Sequence, residues 1–342
     1  MHQLSPTVLI IHQIVKYLAY FQFYVEIMGL VVNVVHIFIL TRKSLRRHGV
    51  NILMTGIAVN EVIVLVFYMN EHMTQYLSDK CSPPPTYLKT LLDVTLSAAR
   101  DAARRNVTLL TTLLALIRFL VIHFSRQNKF EYLASVSFST RTITLVILIS
   151  AFLTSLFHGH VTVGFQEMWT PSEQCSNRYP ANYSAPRYSV YQSTWLMTDI
   201  KIPLLSLIAL SAAIQTIASI LLPILTLCLV CSIRSFRKVA VQSVAIRKQD
   251  LKTTKLVTLV AFLFVLNQTP TGILLLLPSL PTEQLSFEIL LPYLINFFTF
   301  VFILNTTTNL IACLLMSTQY REVVTSMWKD IKKQVTSVTK PF

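Results

Sequence analysis

Arg118 is the only Lys, Arg, Asp or Glu in the stretch TTLLALIRFLVIHF, residues 111–124, and its guanidinium stays charged at any physiological pH. A cation in such a run is either a helix-end charge that snorkels to water or a group held inside for a purpose. Other polar residues lie in similar surroundings: Glu26, Asn33 and His36 in one apolar stretch, Glu61 in NILMTGIAVNEVIVL, and Asn309 in NTTTNLIACLLM. Acid–base catalysis or metal ligation would need such groups paired at one depth. Glu26, Glu61, His36, His158 and His160 form no triad or metal-ligand spacing, and Glu26 and His36, ten residues apart, are expected on opposite sides of a helix. No catalytic residue, bound metal or cofactor is therefore expected, and the chain does not read as an enzyme.

Buried polar groups need apolar elements around them. Of 342 residues 53% are hydrophobic and 13% charged, and the mean hydropathy is +0.58; a soluble domain carries about 25% charged residues. Seven apolar blocks stand out, about Tyr20 to Thr41, Asn51 to Asn70, Asn106 to Phe124, Thr142 to Val163, Leu204 to Ile233, Thr254 to Leu277 and Ile289 to Met316. Each approaches the roughly 20 residues that cross about 30 Å of hydrocarbon at 1.5 Å per residue. The expectation is an all-α membrane protein: residues 1–19 as an extracellular N-terminus, 20–316 as a seven-helix bundle, and 317–342 as a cytoplasmic tail. The N-terminus lacks a basic n-region and a small-residue cleavage site, so no removable signal peptide is read. A transporter or channel is the alternative. It is disfavoured because no inverted repeat and no filter-like loop is visible.

The net charge of +14 follows topology. The segments after blocks one, three and five, together with the tail, hold nineteen Lys and Arg against four acidic residues. By the positive-inside rule that side is cytoplasmic, placing the N-terminus outside and the C-terminus inside. No nucleic-acid partner is needed to account for the charge. Cys81 and Cys175 fall in the two outer loops KCSPPPTY and TPSEQCSNRYPANYSAP, where an oxidising exterior favours a disulfide over two free thiols. Of four Asn-x-Ser/Thr sequons, those at Asn106, Asn267 and Asn305 lie in spanning blocks, which leaves Asn182 as the candidate glycan site.

These motifs together resemble the rhodopsin-like seven-helix receptors that couple to heterotrimeric G proteins. Asn33 is similar to that family's helix-one asparagine, and NILMTGIAVNE to its helix-two motif with Glu61 in place of Asp. ALIRFLV resembles the helix-three signature around Arg118, with Ile117 replacing the acid. Pro223 stands at the helix-five proline, and FLFVLNQTP sets Phe264 and Pro270 at the helix-six switch with Gln268 for the usual Trp. NLIAC keeps only Asn309 of the helix-seven motif, and STQYR resembles a short amphipathic eighth helix. LTRKSLRRHGVNILMTGIAVNE, LLALIRFLVI, LLPILTLCLV and MSTQYR resemble more narrowly the class W serpentine chemoreceptors of nematodes, a group similar to FMRFamide-type neuropeptide receptors.

The resemblance implies a plasma-membrane receptor that binds an extracellular peptide or small-molecule ligand, with lipid around it. Arg118 would turn toward the G protein, and Asn33, Glu61, Phe264, Pro270 and Asn309 would form the activation switch, with a sodium ion near Glu61. Without an acid at position 117, basal output is expected to be raised. Arg104, Thr111 and Arg118 recur every seven residues, so Arg104 lies on the same face about 21 Å above Arg118. Arg100 and Asp101 follow one turn higher, Asp101 at a spacing suited to pairing with Arg105. Arg100, Asp101 and Arg104, joined by Gln268, Tyr293 and Asn296, make up the candidate ligand pocket, whose positive charge favours an anionic ligand.

Overall fold

The structure is a computed structural model that describes residues 6–77, 79, 81–124, 128–159, 161–180, 182–192, 201–239, 270, 273–274 and 285–338. Helices dominate: α1 (Pro6–Leu40), α2 (Gly49–Leu77), α3 (Tyr87–His123), α4 (Val136–His158), α5 (Lys201–Val239), α6 (Leu285–Thr306), α7 (Thr308–Met316) and α8 (Thr318–Val338). Five stretches among the described residues are long and apolar enough to cross a membrane. They are Tyr20–Leu40, Gly49–Thr74, Val136–Leu156, Ala213–Ser232, and Tyr293–Leu315 across α6 and α7. Block six, Thr254 to Leu277, lies almost wholly outside the described residues.

α1 shows why these segments are helices in lipid. Tyr24, Met28, Val31, Val35 and Phe38 are exposed at steps of three and four, whereas Gln22, Glu26, Asn33 and His36 are buried along the opposite stripe. Polar inside and apolar outside reverses the amphipathicity of a helix in water. Glu26 and His36 thus share one face. Ten residues, taken as steps of three, four and three, nearly complete three turns of 3.6, so the expectation of opposite sides is corrected.

α3 runs through the middle, against α2, α4 and α5, while α1 lies against α2 and α6. The core joins Leu53, Val64, Leu65 and Tyr68 of α2 to Val107, Leu110 and Ile117 of α3, with Leu222 of α5 and Phe302 and Ile303 of α6. Pro223 inside α5 offers no N–H to the carbonyl of Ser219. Beside it, Thr112 of α3 donates to the Ala218 carbonyl at 3.2 Å, fastening the two helices where α5 is weakest.

Five expectations are revised. The chain is not all-α: Val161–Trp169 and Ala185–Gln192 form an antiparallel pair, β1 and β2, with an irregularity between Phe165 and Glu167. Block four therefore ends early. α4 stops at His158 with Gly159 at its C-cap, and Val161 to Val163 belong to β1. Block seven is two helices, α6 and α7, interrupted at Thr307. The eighth helix is not short, since α8 has 21 residues. It docks through Tyr320, Val323, Val324 and Met327 against Ile39, Leu40 and Leu45. At the other end of the chain α1 begins at Pro6, well before Tyr20.

The hairpin is tied to the segment preceding α3 by the Cys81–Cys175 disulfide, with Cα atoms 5.5 Å apart. Arg178 pairs with Asp79, and the Tyr179 hydroxyl donates to the Cys81 carbonyl. Asn182 is exposed with φ 65°, a left-handed turn that asparagine tolerates.

Gly49 opens α2 against the start of α4, where a Cβ would lie 2.4 Å from Ser139 Oγ and 2.5 Å from the carbonyls of Ala134 and Ser135. Gly49→Ala is expected to destabilise the protein by about 1–3 kcal/mol, the usual range for overpacking. A thermal melt of the purified full chain checks this, and a midpoint equal to wild type would contradict the packing.

Candidate functional site

Two polar regions occupy opposite ends of α3. Arg118 lies in the half toward His123, partly buried, and its recorded hydrogen-bond contact is a weak one, Nη2 to Met54 Sδ at 3.9 Å. Ile117, which stands where an acid was expected, is buried in the apolar core. Among the described residues no ion pair includes Arg118, which is held by packing and one soft acceptor.

Next to it a polar seam joins α1, α2, α6 and α7. Thr306, Thr307 and Thr308 each turn the hydroxyl back onto the carbonyl three residues earlier, at 2.7 Å in all three cases. Threonines bonded this way compete with the helix ladder and bend it, so the chain breaks here with no proline. Across the break, Asn33 Nδ2 donates to the carbonyls of Gly29 at 3.0 Å and Thr306 at 3.4 Å. Just beyond it, Asn309 Nδ2 donates to Glu61 Oε1 at 2.7 Å. Asn33 Oδ1 and Glu61 Oε2 are buried without a hydrogen-bond partner among the described residues. Those two acceptors suit a sodium ion or water, but among the described residues no three metal-ligating side chains converge.

Below the seam, His36 Nδ1 and the Tyr320 hydroxyl meet at 2.8 Å and fasten α8 to α1. Burial pushes the Tyr320 phenol up, so its hydroxyl stays protonated in this pair.

At the disulfide end, Arg100 donates to Glu71 at 2.9 Å, Asp101 at 3.3 Å and Ser97 at 3.1 Å, and lies 5.5 Å from the Tyr68 ring. Asp101 also faces His158 at 3.5 Å. Arg105 instead reaches the Ser150 carbonyl and the Thr154 hydroxyl on α4, both at 3.1 Å. Arg104 donates through Nη1 to the Tyr68 hydroxyl at 2.9 Å and sits 5.1 Å from the Phe302 ring. A cavity of about 280 Å³ opens between α2 and α3, lined by Asn70, Glu71, Thr74, Asp93, Ser97 and Arg100 among others. Of Arg100, Asp101 and Arg104, neighbours on one helix, Arg100 lines this cavity and the other two do not. Tyr293 is partly buried on α6 and Asn296 is exposed. Pro270 is partly buried, while Phe264 and Gln268 lie outside the described residues.

Sequence reasoning missed the acid–imidazole pair of Glu26 and His72 at 2.9 Å, with Gln22 Nε2 donating to Glu26 at 2.9 Å. His72 lay beyond block two as drawn, yet α2 continues to Leu77. Tyr68 and Phe302 carry no sequence signal beyond apolar periodicity. Of the sequons, Asn106 is buried and donates to Asn60 Oδ1 at 2.9 Å, which keeps it from any glycosylating enzyme.

A multi-pass helical chain with a disulfide-tied hairpin at one end of α3 and a loosely held arginine at the other is the setting for comparison with known proteins. No curated protein matches the chain. The family described as serpentine type 7TM GPCR chemoreceptor Srw matches over residues 20–330, nearly the whole length. That match spans α1 from Tyr20, the seam, both ends of α3 and most of α8, and the chain belongs to the Srw family of seven-transmembrane chemoreceptors.

Proposed function

We propose that this receptor detects a small extracellular chemical cue at the disulfide end of the bundle and activates a heterotrimeric G protein at the Arg118 end. In this reading it sits in the plasma membrane, with the N-terminus and the Asn182 turn outside and α8 on the cytoplasmic leaflet. The observation that carries it is α3 itself, one unbroken helix of 37 residues with the Arg100–Arg104 cluster at one end and Arg118 toward the other. A rigid helix that touches both ends lets a ligand bias the setting of the inner one. The cavity between α2 and α3 is of small-molecule size, which favours a chemical cue over a folded peptide.

Arg118 suits the inner role because its contact to Met54 is weak, so turning toward a partner's carbonyls gives up little. The seam suits the coupling role. Its bonds cross the Thr306–Thr308 break, where α6 meets α7 with the least ladder support. A bistable element at such a break is what transmission between two sites requires.

Two outcomes test this. In cells expressing the full chain, cyclic AMP and calcium output without added ligand is expected above mock-transfected cells. Arg118→Ala is expected to remove it at equal surface expression, and equal output from both would make Arg118 a mere helix-end charge. In a double-mutant cycle on purified protein, Glu61→Ala and Asn309→Ala should couple by about 0.5–3 kcal/mol, as for residues sharing one buried bond. Additive melting shifts would mean that Glu61 and Asn309 do not act together.

A further inference from the structure

Arg104 has more hydrogen-bonding capacity than the fold uses. Nη1 is taken by the Tyr68 hydroxyl, but Nε and Nη2 are buried and have no hydrogen-bond partner among the described residues. Those two nitrogens form one edge of the planar guanidinium, and their parallel N–H bonds match the two oxygens of a carboxylate.

Among the described residues no carboxylate pairs with that edge. Glu71 and Asp101 pair with Arg100, Asp93 with Lys89, and Glu26 with His72, while Glu61 accepts from Asn309. Among the described residues none of the ion pairs includes Arg104. A partly buried cation with two buried, idle donors is costly unless something completes it.

We propose that Arg104 anchors the carboxylate of a small organic acid with an apolar or aryl body, bound in the outer half of the bundle. This deepens the receptor reading above and rests on it for the side from which the ligand enters. Tyr68 and Phe302, both buried, flank the guanidinium, so the body of the acid meets aromatic walls while its charge meets Arg104. Glu71 and Asp93 line the neighbouring cavity between α2 and α3, and Asp101 lies three residues from Arg104 on the same helix, so an acid with a second negative charge is repelled. The class is a monocarboxylic acid.

The test uses the purified full-length receptor in lipid nanodiscs, with butyrate, 3-phenylpropionate and 4-phenylbutyrate each compared with its primary amide. Binding is read from the concentration dependence of the thermal midpoint. At least one acid is expected to bind roughly tenfold or more tightly than its amide, as a charge-assisted bidentate contact should. Arg104→Gln should abolish that preference, and Arg104→Lys should lose most of it, since lysine keeps the charge without the two-donor edge. Without any acid, Arg104→Met should melt no lower than wild type, because two unpartnered buried donors are removed.

Acids and amides that bind alike, the absence of binding by all three acids, or a preference that survives in Arg104→Gln would each overturn the proposal. An Arg104→Met receptor that melts well below wild type would do so too, because the guanidinium would then be structural. G-protein nucleotide exchange is measured separately. Acid binding without exchange leaves Arg104 as the anchor and sinks only the signalling reading.

Discussion

Inside hydrocarbon a polar group has no water to fall back on, so each one must find its partner within the bundle. α1 shows how far this constraint organises the protein. Within its buried stripe Gln22 donates to Glu26 on the same helix, while Glu26, Asn33 and His36 are each met by a different element from outside it. Glu26 draws His72 from α2, Asn33 reaches the Thr306 carbonyl of α6, and His36 takes the Tyr320 hydroxyl of α8. The apolar outward stripe adds no such specificity, because lipid is as apolar as any neighbouring helix. Polar pairing fixes the rotation of α1 and, through it, the placement of three other helices.

The same constraint explains how a chain lacking the helix-seven proline still breaks there. Proline would remove one N–H and expose carbonyls. Here three threonines in succession bond back onto their own helix, and the carbonyl of Thr306 is used by Asn33 rather than left bare. The broken region therefore costs little while α1 stays in place. It also directs Asn309 at Glu61, which leaves the other carboxylate oxygen, Oε2, unpartnered and the seam incompletely satisfied. A network complete but for two acceptors has more than one arrangement open to it, in contrast to the close-packed apolar core around Leu53, Leu65 and Phe302.

Much of this was legible in the sequence wherever one signal dominated. The membrane class, five spanning stretches among the described residues and the disulfide followed from apolar block length and from cysteines confined to two loops. Partner choice was harder to see. Glu26 was visible, but His72 lay past an apparent block end at Asn70, because Glu71 and His72 read as a helix terminus when burial was unknown. The hairpin was hidden in a similar way. Val161 to Val163 continue the apolar run of α4 in composition, and only the cap at Gly159 marks the change. α8 was underestimated because its docking face, Tyr320 to Met327, alternates with charges and has no apolar block to display. Asp101 and Arg105 had the right spacing to pair, yet Arg100 is adjacent and His158 faces Asp101 from α4, so tertiary neighbours overrode the local rule.

α3 carries the largest imbalance in the molecule. Its apolar middle, Val107 to Ile117, belongs to the core and locks the helix against α2 and α5, while both charged ends are under-satisfied. A helix selected for stability alone would place an apolar residue at 104 and either a carboxylate or an apolar residue beside 118. Retaining two guanidiniums with few partners lowers stability at both ends, and protein groups left incomplete in this way are the ones a partner can complete. In the proposed receptor reading, a core that holds the span between them rigid would let completion of one end change the load on the other without any need for α3 itself to deform. The rigid middle would then make the unsatisfied ends transmissible.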